Sequence, residues 1–432
     1  MSLISKFLHK VIRQGVLTIV YPDGTQEQFG TPKADWPQAT LRFHHRRAYA
    51  AILRDPALGL AESYMNGDVS IDHDRVLDVI SLYRRNTRWE ARGGTAPSGM
   101  KKVMTSIRRK LHQINDPSKS KANVAHHYDL SNDFYRLWLD PDMQYSCAYW
   151  PDMTLQPNGS PVSALSLEEA QLAKKAHIAA KLDLRPGQRV LEIGSGWGGM
   201  ALYLNRVADV DVLGITLSEE QLKLARARAE AAGVSDRVKF ELIDYRDLAA
   251  RAPGQFDRIV SIGMFEHVGV PQFETFFRCV AQLMTAQGVM LLHTIGRMGG
   301  PGLTDAFTRK YIFPGGYIPA LSEIVAASEP FRLIAADVEN LRLHYGLTLW
   351  HWYQRAEAHR AQIIEMYDEK FYRLWLYYLA GAMTSFEAGS MCNYQLQYVR
   401  DRRTLPMTRD YIAAREAAYL RMDGQGGQDE AG

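Results

Sequence analysis

Between residues 189 and 296, short apolar runs alternate with segments of helical periodicity. The apolar runs read RVLEIG, DVLGIT, RVKFELI, FDRIVSIGMF and GVMLLHTIG. Helical patterns follow the first, second and fourth of them, beginning near Gly198, Ser218 and Pro271. Strands that alternate with helices form a mostly parallel sheet with helices on both faces. The chain is therefore predicted to contain a doubly wound α/β domain.

A glycine-rich turn follows the first of these strands. Gly194, Gly196 and Gly199 match the pattern G-x-G-x-x-G, in which the backbone can approach a ligand closely at the start of a helix. This pattern alone is compatible with a dinucleotide or with S-adenosylmethionine. A glycine turn that binds no ligand is a third interpretation.

The neighbouring residues favour S-adenosylmethionine. Glu192 lies just before the turn and gives E-x-G-x-G, which resembles class I methyltransferases. A dinucleotide enzyme also needs an acid about 20 residues further on, where the second strand instead ends at Thr216. Asp244 and Tyr245 follow the third strand, where methyltransferases of this fold hold adenine.

Four segments of the chain differ in composition. Residues 1–92, with a hairpin signal at Asp23 and Gly24, predict a small N-terminal α+β domain. Residues 93–122 begin with GGTAPSG and predict a basic linker, and residues 123–423 hold the main domain. The tail 424–432, GQGGQDEAG, is predicted to be disordered.

Two segments are candidates for contact with a membrane surface. Between Lys101 and Lys121 lie seven lysines and arginines and a single acid, which predicts a docking surface for anionic lipid or nucleic acid, or a solvated linker. Residues 3–13 predict an amphipathic helix that lies on a membrane or packs on its own domain.

Cysteine usage and hydropathy bear on the compartment. Three widely spaced cysteines form neither a disulfide framework nor a metal cluster, so we expect no metal and a reducing cytoplasm. The first residues lack the apolar core of a signal peptide, and no stretch resembles a transmembrane helix.

Six motifs in order resemble the cyclopropane fatty acid synthases and the related mycolic acid methyltransferases. They are residues 127–135, 144–150, 216–221, 244–247, 264–269 and 292–296. Residues 58–65, LGLAESYM, also resemble the N-terminal lipid-binding domain of the synthases. The resemblance implies a class I (Rossmann-like) methyltransferase sheet with a helical lid, and a homodimer.

The resemblance also implies the site residues. Cofactor contacts are expected at Tyr145, Ser146, Glu192, Gly194, Ser195, Gly196, Gly198, Thr216, Gln221, Asp244, Tyr245 and Arg246. A bicarbonate ion is expected on Cys147, Glu266, His293, the backbone of Ile295, and Tyr345. The chain has Ala382 where relatives often have cysteine, so no thiol there can be essential.

The implied reaction adds the methyl carbon of S-adenosylmethionine to the cis double bond of an unsaturated phospholipid acyl chain. The alkene attacks the methyl, a carbocation forms, and loss of a proton closes a cyclopropane ring. Such a site must exclude water and hold a base that resists alkylation, a role that suits bicarbonate. Aromatic faces between Trp350 and Phe386 are candidates to stabilise the cation.

Other functions stay open on the sequence alone. A lipid methyltransferase could leave a methyl or methylene branch without closing a ring. A methyltransferase of small amines or RNA is a further alternative, although no nucleic-acid module is recognisable and no nucleic-acid partner is expected. A lipid-binding protein with a degenerate methyltransferase domain is a third. The preferred reading places the protein in the cytoplasm, peripheral on the inner membrane surface, where it reaches acyl chains of the phospholipid bilayer.

Overall fold

The computed structural model describes residues 3–91 and 130–429, with side chains from 4 to 91 and from 130 to 422. The predicted basic linker 93–122, its stretch from Lys101 to Lys121, and the start of the first motif at 127–129 lie outside these ranges. Among the described residues, no helix combines the length and the apolar character needed to cross a bilayer.

Residues 3–91 form a four-stranded sheet with four helices. The strands are β1 Val16–Val20, β2 Gln26–Phe29, β3 Gln38–Phe43 and β4 Val69–Ile71, in the order β2-β1-β3-β4. The predicted hairpin joins β1 to β2, and Gly24 adopts the positive φ that its turn requires. The helices are α1 Leu3–Val11, α2 Arg47–Arg54, α3 Pro56–Met65 and α4 Val76–Asn86.

A seven-stranded sheet dominates the remainder. Its strands are β7 Arg189–Ile193, β8 Asp211–Thr216, β9 Val238–Leu242, β10 Phe256–Ile262, β11 Met284–Arg297, β12 Ile334–Asn340 and β13 Met391–Val399. They lie in the order β12-β13-β11-β10-β7-β8-β9, and of these seven β13 alone runs in the direction opposite to the other six. The predicted doubly wound, mostly parallel sheet is confirmed. A short ribbon, β5 Thr154–Leu155 with β6 Pro161–Val162, stands apart.

Helices connect and cover these strands. They are α5 Asn132–Arg136, α6 Leu167–Leu182, α7 Gly199–Ala208, α8 Glu219–Ala231, α9 Tyr245–Arg251, α10 Phe273–Leu283, α11 Leu321–Ser328, α12 His344–Ala358, α13 Arg360–Met366, α14 Glu369–Glu387 and α15 Asp410–Asp429. Five of them begin at a residue whose side chain caps the helix, namely Ser131, Ser166, Ser218, Asp244 and Asp368. Ser166, for example, makes a capping box with Glu169 at the start of α6.

Two parts of the sequence interpretation need correction. The strand-like runs predicted from the sequence end at residue 296, yet the region after Gly315 supplies two further strands, β12 and β13. The tail from Gly424 was expected to be disordered, whereas the backbone of α15 stays helical to Asp429. Extending a helix that already exists costs far less than starting one, so the glycines there do not end it.

The first unit packs directly on the helical layer of the second. Helix α14 packs against α12 and also against α3 and α4. The Tyr377 hydroxyl donates to the Ala57 carbonyl at 2.9 Å, and Glu62 accepts from the Lys310 ammonium at 2.6 Å and from the Tyr311 hydroxyl at 2.8 Å. One hydrophobic core therefore continues from the first unit into the second.

Candidate active site

The glycine turn between β7 and α7 borders a cavity of about 160 Å³. Gly194 and Gly196 have φ values of +87° and +50°, which favour glycine because side chains clash there. A Cβ on Gly194 would also lie 2.8 Å from the Cβ of Met264. The turn thus keeps its backbone open toward the cavity, as the sequence pattern predicts.

Eleven of the twelve predicted cofactor residues line this cavity. They are Tyr145, Ser146, Glu192, Gly194, Ser195, Gly196, Thr216, Gln221, Asp244, Tyr245 and Arg246. Gly198 does not line it. Gly198 is the N-terminal capping residue of α7, with φ +84°, and a Cβ there would lie 2.7 Å from the Phe240 ring. Its role is therefore close packing of the helix on the sheet, which a motif match cannot separate from ligand contact.

Internal hydrogen bonds hold the polar rim of this cavity. Asp244 accepts from the Arg246 backbone at 2.9 Å and from the Arg246 guanidinium at 2.7 and 2.6 Å. The Thr216 hydroxyl donates to Gln221 Oε1 at 3.0 Å. These contacts fix side chains at the carboxyl ends of β8 and β9, where ligands of open α/β sheets bind.

Buried polar groups in the wall fit a nucleoside. Glu192 Oε2 and Ser195 Oγ are buried and have no hydrogen-bond partner among the described residues, and such groups usually have one. Burial raises the pKa of Glu192 to about 8. Lys174, whose pKa burial lowers to about 8, donates to Gln144 at 2.6 Å and to Ser146 at 2.9 Å. The residues present therefore suit S-adenosylmethionine.

A second and larger cavity, of about 460 Å³, extends from the sheet into the first unit. Apolar side chains from α1, β3 and α4 form one end, including Ile4, Phe43 and Ile80. Helices α12 and α14 and the 303–318 segment supply further walls. The cavity therefore depends on both units of the chain.

The two cavities meet at four shared residues. Tyr145, Ser146, Gly263 and His267 line both. Burial lowers the pKa of His267 to about 4, so its ring is neutral at physiological pH and adds no positive charge at the junction. Gly263 has no side chain to close the junction and sits at φ +65°. Neither Gly263 nor His267 was singled out as a site residue from the sequence.

All five predicted bicarbonate residues line the second cavity, namely Cys147, Glu266, His293, Ile295 and Tyr345. The Ile295 backbone N–H, however, donates to Glu266 Oε1 at 2.6 Å, so Glu266 itself occupies that donor. Glu266 Oε2 is buried and has no hydrogen-bond partner among the described residues. Burial raises the pKa of Glu266 to about 7.

The thiol and the imidazole of this group are both neutral. Cys147 Sγ donates to the Ala148 carbonyl at 3.2 Å, and burial raises the pKa of this thiol. Burial also holds the pKa of His293 well below its ordinary value. His293 Nε2 lies 2.8 Å from Asn393 Nδ2, and its Nδ1 lies 3.1 Å from Gln395 Nε2. Sequence reasoning missed both amides, because nothing local to β13 marks them.

The aromatic segment divides between cavity and core. Tyr377, Tyr378 and Phe386 line the second cavity, and so does Ala382. The candidates that do not line it are Trp350, Trp352, Tyr353, Tyr372 and Trp375. Trp352 and Trp375 instead pack edge-on or tilted against Trp138 in the core. Helical spacing alone does not distinguish a core-facing ring from a cavity-facing one.

Comparison with known proteins supports this arrangement. The family model for mycolic acid cyclopropane synthetase matches residues 115–396, and a domain of unknown function matches residues 3–89. Cyclopropane-fatty-acyl-phospholipid synthase from Escherichia coli K12 is 37% identical over 362 residues, covering 84% of this chain and 88% of the relative. Tuberculostearic acid methyltransferase UfaA1 from Mycobacterium tuberculosis is 32% identical over 414 residues, covering 93% and 91%.

A solved structure agrees in fold. The mycolic acid cyclopropane synthase CmaA1, complexed with SAH and CTAB, aligns with a TM-score of 0.58 at 33% identity, covering 65% of this chain and 98% of that one. The family match spans more than half of the chain and includes the glycine turn and the five predicted bicarbonate residues. The chain therefore belongs to the mycolic acid cyclopropane synthetase family and is an S-adenosylmethionine-dependent methyltransferase with a class I, Rossmann-like fold.

Proposed function

We propose that this protein transfers the methyl carbon of S-adenosylmethionine to the cis double bond of an unsaturated phospholipid acyl chain and closes a cyclopropane ring. The observation that carries the proposal is the junction of the two cavities at Tyr145, Ser146, Gly263 and His267. A methyl donor on one side and an alkene on the other would face each other across that junction. Such positioning can supply several orders of magnitude in rate.

The second cavity suits an acyl chain. Its far end is walled by aliphatic and aromatic side chains such as Leu17, Leu41 and Ile52. A chain drawn into it would exchange the bilayer interior for a similarly apolar surface, so its transfer would cost little hydrophobic free energy. Enclosure by two units would also keep water from a carbocation formed near the junction.

Residues of this chain would stabilise the developing charge. The Tyr145 hydroxyl lies 3.3 Å from the Tyr378 hydroxyl at the cavity wall. Burial raises the pKa of Tyr378 to about 12, and it also raises that of Tyr145, so both rings stay neutral. Electron-rich ring faces stabilise a cation by about 0.5–2 kcal/mol each.

Bicarbonate is proposed as the general base. It would supply a proton acceptor that does not form a stable ester with the cation. Glu266 Oε2, a buried polar atom without a partner among the described residues, offers a hydrogen-bond position in the cavity that Cys147, His293 and Tyr345 also line. The Cys147 thiol and the His293 imidazole are neutral, so an anion there would be held by hydrogen bonds rather than by a fixed positive charge.

The test is incubation with vesicles of palmitoleoyl phospholipid and S-adenosylmethionine carrying a ¹³C-methyl group. We expect the label in the acyl chain, with cyclopropyl protons upfield in the NMR spectrum and lower turnover after bicarbonate is stripped from the buffer. Glu266→Gln should bind S-adenosylmethionine normally and turn over slowly. If RNA or small amines added to the same incubation become labelled while the acyl chains do not, the proposal is overturned.

A second candidate is methyl transfer without ring closure. It is favoured by the relative named tuberculostearic acid methyltransferase, whose match covers 93% of this chain. The same experiment separates the two, because a labelled methyl or methylene branch gives no upfield cyclopropyl protons. That outcome would retain the acyl substrate and reject the ring.

A further inference from the structure

A line of buried and half-buried polar side chains leads from α15 to the second cavity. Carboxylate oxygens of Glu416 and Glu339 lie 2.9 and 2.7 Å from Nδ1 and Nε2 of His177, respectively. The Lys181 ammonium donates to Glu339 and, at 2.8 Å, to Gln395 Oε1. Gln395 Nε2 then lies 3.1 Å from His293 Nδ1. Sequence analysis assigned none of these contacts.

Lys181 fixes the orientation of the Gln395 amide. An ammonium group has only donors, so the atom of Gln395 that faces it must be the carbonyl oxygen. Glu339 supplies the anionic partner of this ammonium. The amide NH2 of Gln395 is therefore the half that faces His293, and it is a donor. Both Lys181 and Gln395 are 0% exposed, so water cannot replace either contact.

The orientation of Gln395 in turn determines the tautomer of His293. Nδ1 must accept the hydrogen bond, so it carries no proton. A neutral imidazole then carries its single proton on Nε2. The Asn393 amide nitrogen, which lies 2.8 Å from Nε2, is itself a donor, so it cannot accept from that N–H and must turn aside when an anion in the cavity accepts it. Asn393 and His293 line the second cavity whereas Gln395 does not, so Nε2 is the nitrogen on the cavity side.

We propose that Lys181 and Gln395 are positioning residues that hold the proton of His293 on Nε2, so that His293 donates a hydrogen bond toward the cavity anion and cannot act as the base. This inference rests on the proposed function for the identity of the anion as bicarbonate. The tautomer itself depends only on the contacts among Lys181, Gln395 and His293. The proton of the reaction would then pass to the anion, which the imidazole helps to hold.

The test is ¹⁵N NMR of the full-length protein with labelled histidine, using His293→Gln to assign the His293 signals. We expect Nδ1 of His293 to show the shift of an unprotonated nitrogen and Nε2 that of a protonated one. In Gln395→Glu, a carboxylate replaces the donor, so we expect a proton on Nδ1. A wild-type His293 protonated on Nδ1, or a tautomer unchanged by Gln395→Glu, would overturn the proposal.

Gln397→Glu is the matched control. Gln397 is buried two residues further along β13, where it donates to the Lys181 carbonyl and, at 2.7 Å, approaches the Tyr411 hydroxyl rather than His293. This variant should retain the wild-type tautomer. If Gln395→Glu does not fold, a wild-type His293 protonated on Nδ1 would still overturn the proposal.

Kinetics separate this inference from the proposed function. Gln395→Glu should raise the KM for bicarbonate about 10- to 100-fold, the usual effect of losing a hydrogen bond to a charged group, with the KM for S-adenosylmethionine nearly unchanged. An unchanged bicarbonate KM alongside a shifted tautomer would contradict the role of His293 in anion binding. If turnover by the wild-type enzyme does not depend on bicarbonate, bicarbonate is not the base. The assigned tautomer of His293 would be unaffected by that result.

Discussion

Glu266 is a buried carboxylic acid that lines the second cavity, and its burial affects the stability of the folded protein. Burial raises its pKa from 4.5 to about 7. Between these two pH values the unfolded chain loses this proton while the folded protein keeps it. The folded state therefore becomes less stable as pH rises through that window, by roughly 3 kcal/mol in all.

The variant Glu266→Gln should remove this pH dependence, because its amide cannot ionise and can still accept from the Ile295 backbone. Urea unfolding at several pH values would measure it. The free energy of unfolding of wild type minus that of the variant should fall as pH rises from about 4.5 to about 7, then level off. A difference that does not vary with pH would show that burial does not protonate Glu266.

The sequence could assign a role in the site to some residues but not to others. Glu266, His293 and Cys147 stand in motifs with a recognisable order, so their shared cavity was predicted. Lys181 and Gln395 lie on a helix and a strand 214 residues apart, and only tertiary packing brings them together. Gly198 shows the opposite error, since a glycine needed for packing looks the same in a motif as one needed for a ligand.

Helix α1 illustrates the same ambiguity for a whole amphipathic segment. The sequence allowed a membrane-surface helix or a helix packed on its own domain. In the structure Ile4 and Ile12 are buried, and together with Phe7 and Leu8 they line the second cavity. Lys6 and Lys10 on the opposite face are exposed. The apolar face of α1 therefore packs inside the protein. Only its charged face would be available for contact with a membrane.

We expect Lys6→Glu/Lys10→Glu to weaken binding to anionic vesicles by at least about 30-fold, because each lysine near such a surface contributes about 1 kcal/mol. Vesicle sedimentation at low salt would measure this. The matched control is Lys223→Glu/Lys239→Glu, which reverses two exposed lysines on α8 and β9. Equal losses in both variants would indicate a response to net charge rather than a contact through α1.

The strands that sequence analysis missed have a composition that hides them. β13 reads MCNYQLQYV, and eight of its nine residues are buried although three are amides. Buried amides break the apolar run that marks an interior strand. Buried amides are tolerated here because each has a polar partner. Asn393 and Gln395 contact His293, and Gln397 donates to the Lys181 carbonyl. The amide residues that hide this strand in the sequence are therefore the same residues that contact His293 and Lys181.

At the scale of the whole molecule, the second cavity is built from two units that the sequence describes separately. Strand periodicity predicted the sheet, and the glycine turn predicted a cofactor site where the structure has a cavity. Neither pattern could predict that α4 of the first unit would wall a cavity reaching His293, because that contact depends on how the units dock. The first unit should therefore influence which acyl chains react, although the polar site residues lie in the second.

Ile80 on α4 offers the means to test this dependence. Ile80→Phe should shorten the apolar end of the cavity, and palmitoleoyl and oleoyl chains share a double-bond position but differ in length beyond it. We expect turnover of oleoyl phospholipid to fall more than that of palmitoleoyl phospholipid in mixed vesicles, measured by mass spectrometry of the acyl products. Overpacking costs about 1–3 kcal/mol in a closed core and less beside a cavity, so the variant should fold.

Ile80→Leu, which conserves volume, should leave the ratio of the two products unchanged. A ratio unchanged by Ile80→Phe as well would mean that the methyl end of the chain does not extend beneath the first unit. If Ile80→Phe shifts the preference and Ile80→Leu does not, then α4, a helix outside the methyltransferase sheet, limits the length of the acyl chain that the cavity accepts. Acyl-chain selectivity would then be a property of how the two units dock, since Ile80 is not among the residues that border the cofactor cavity.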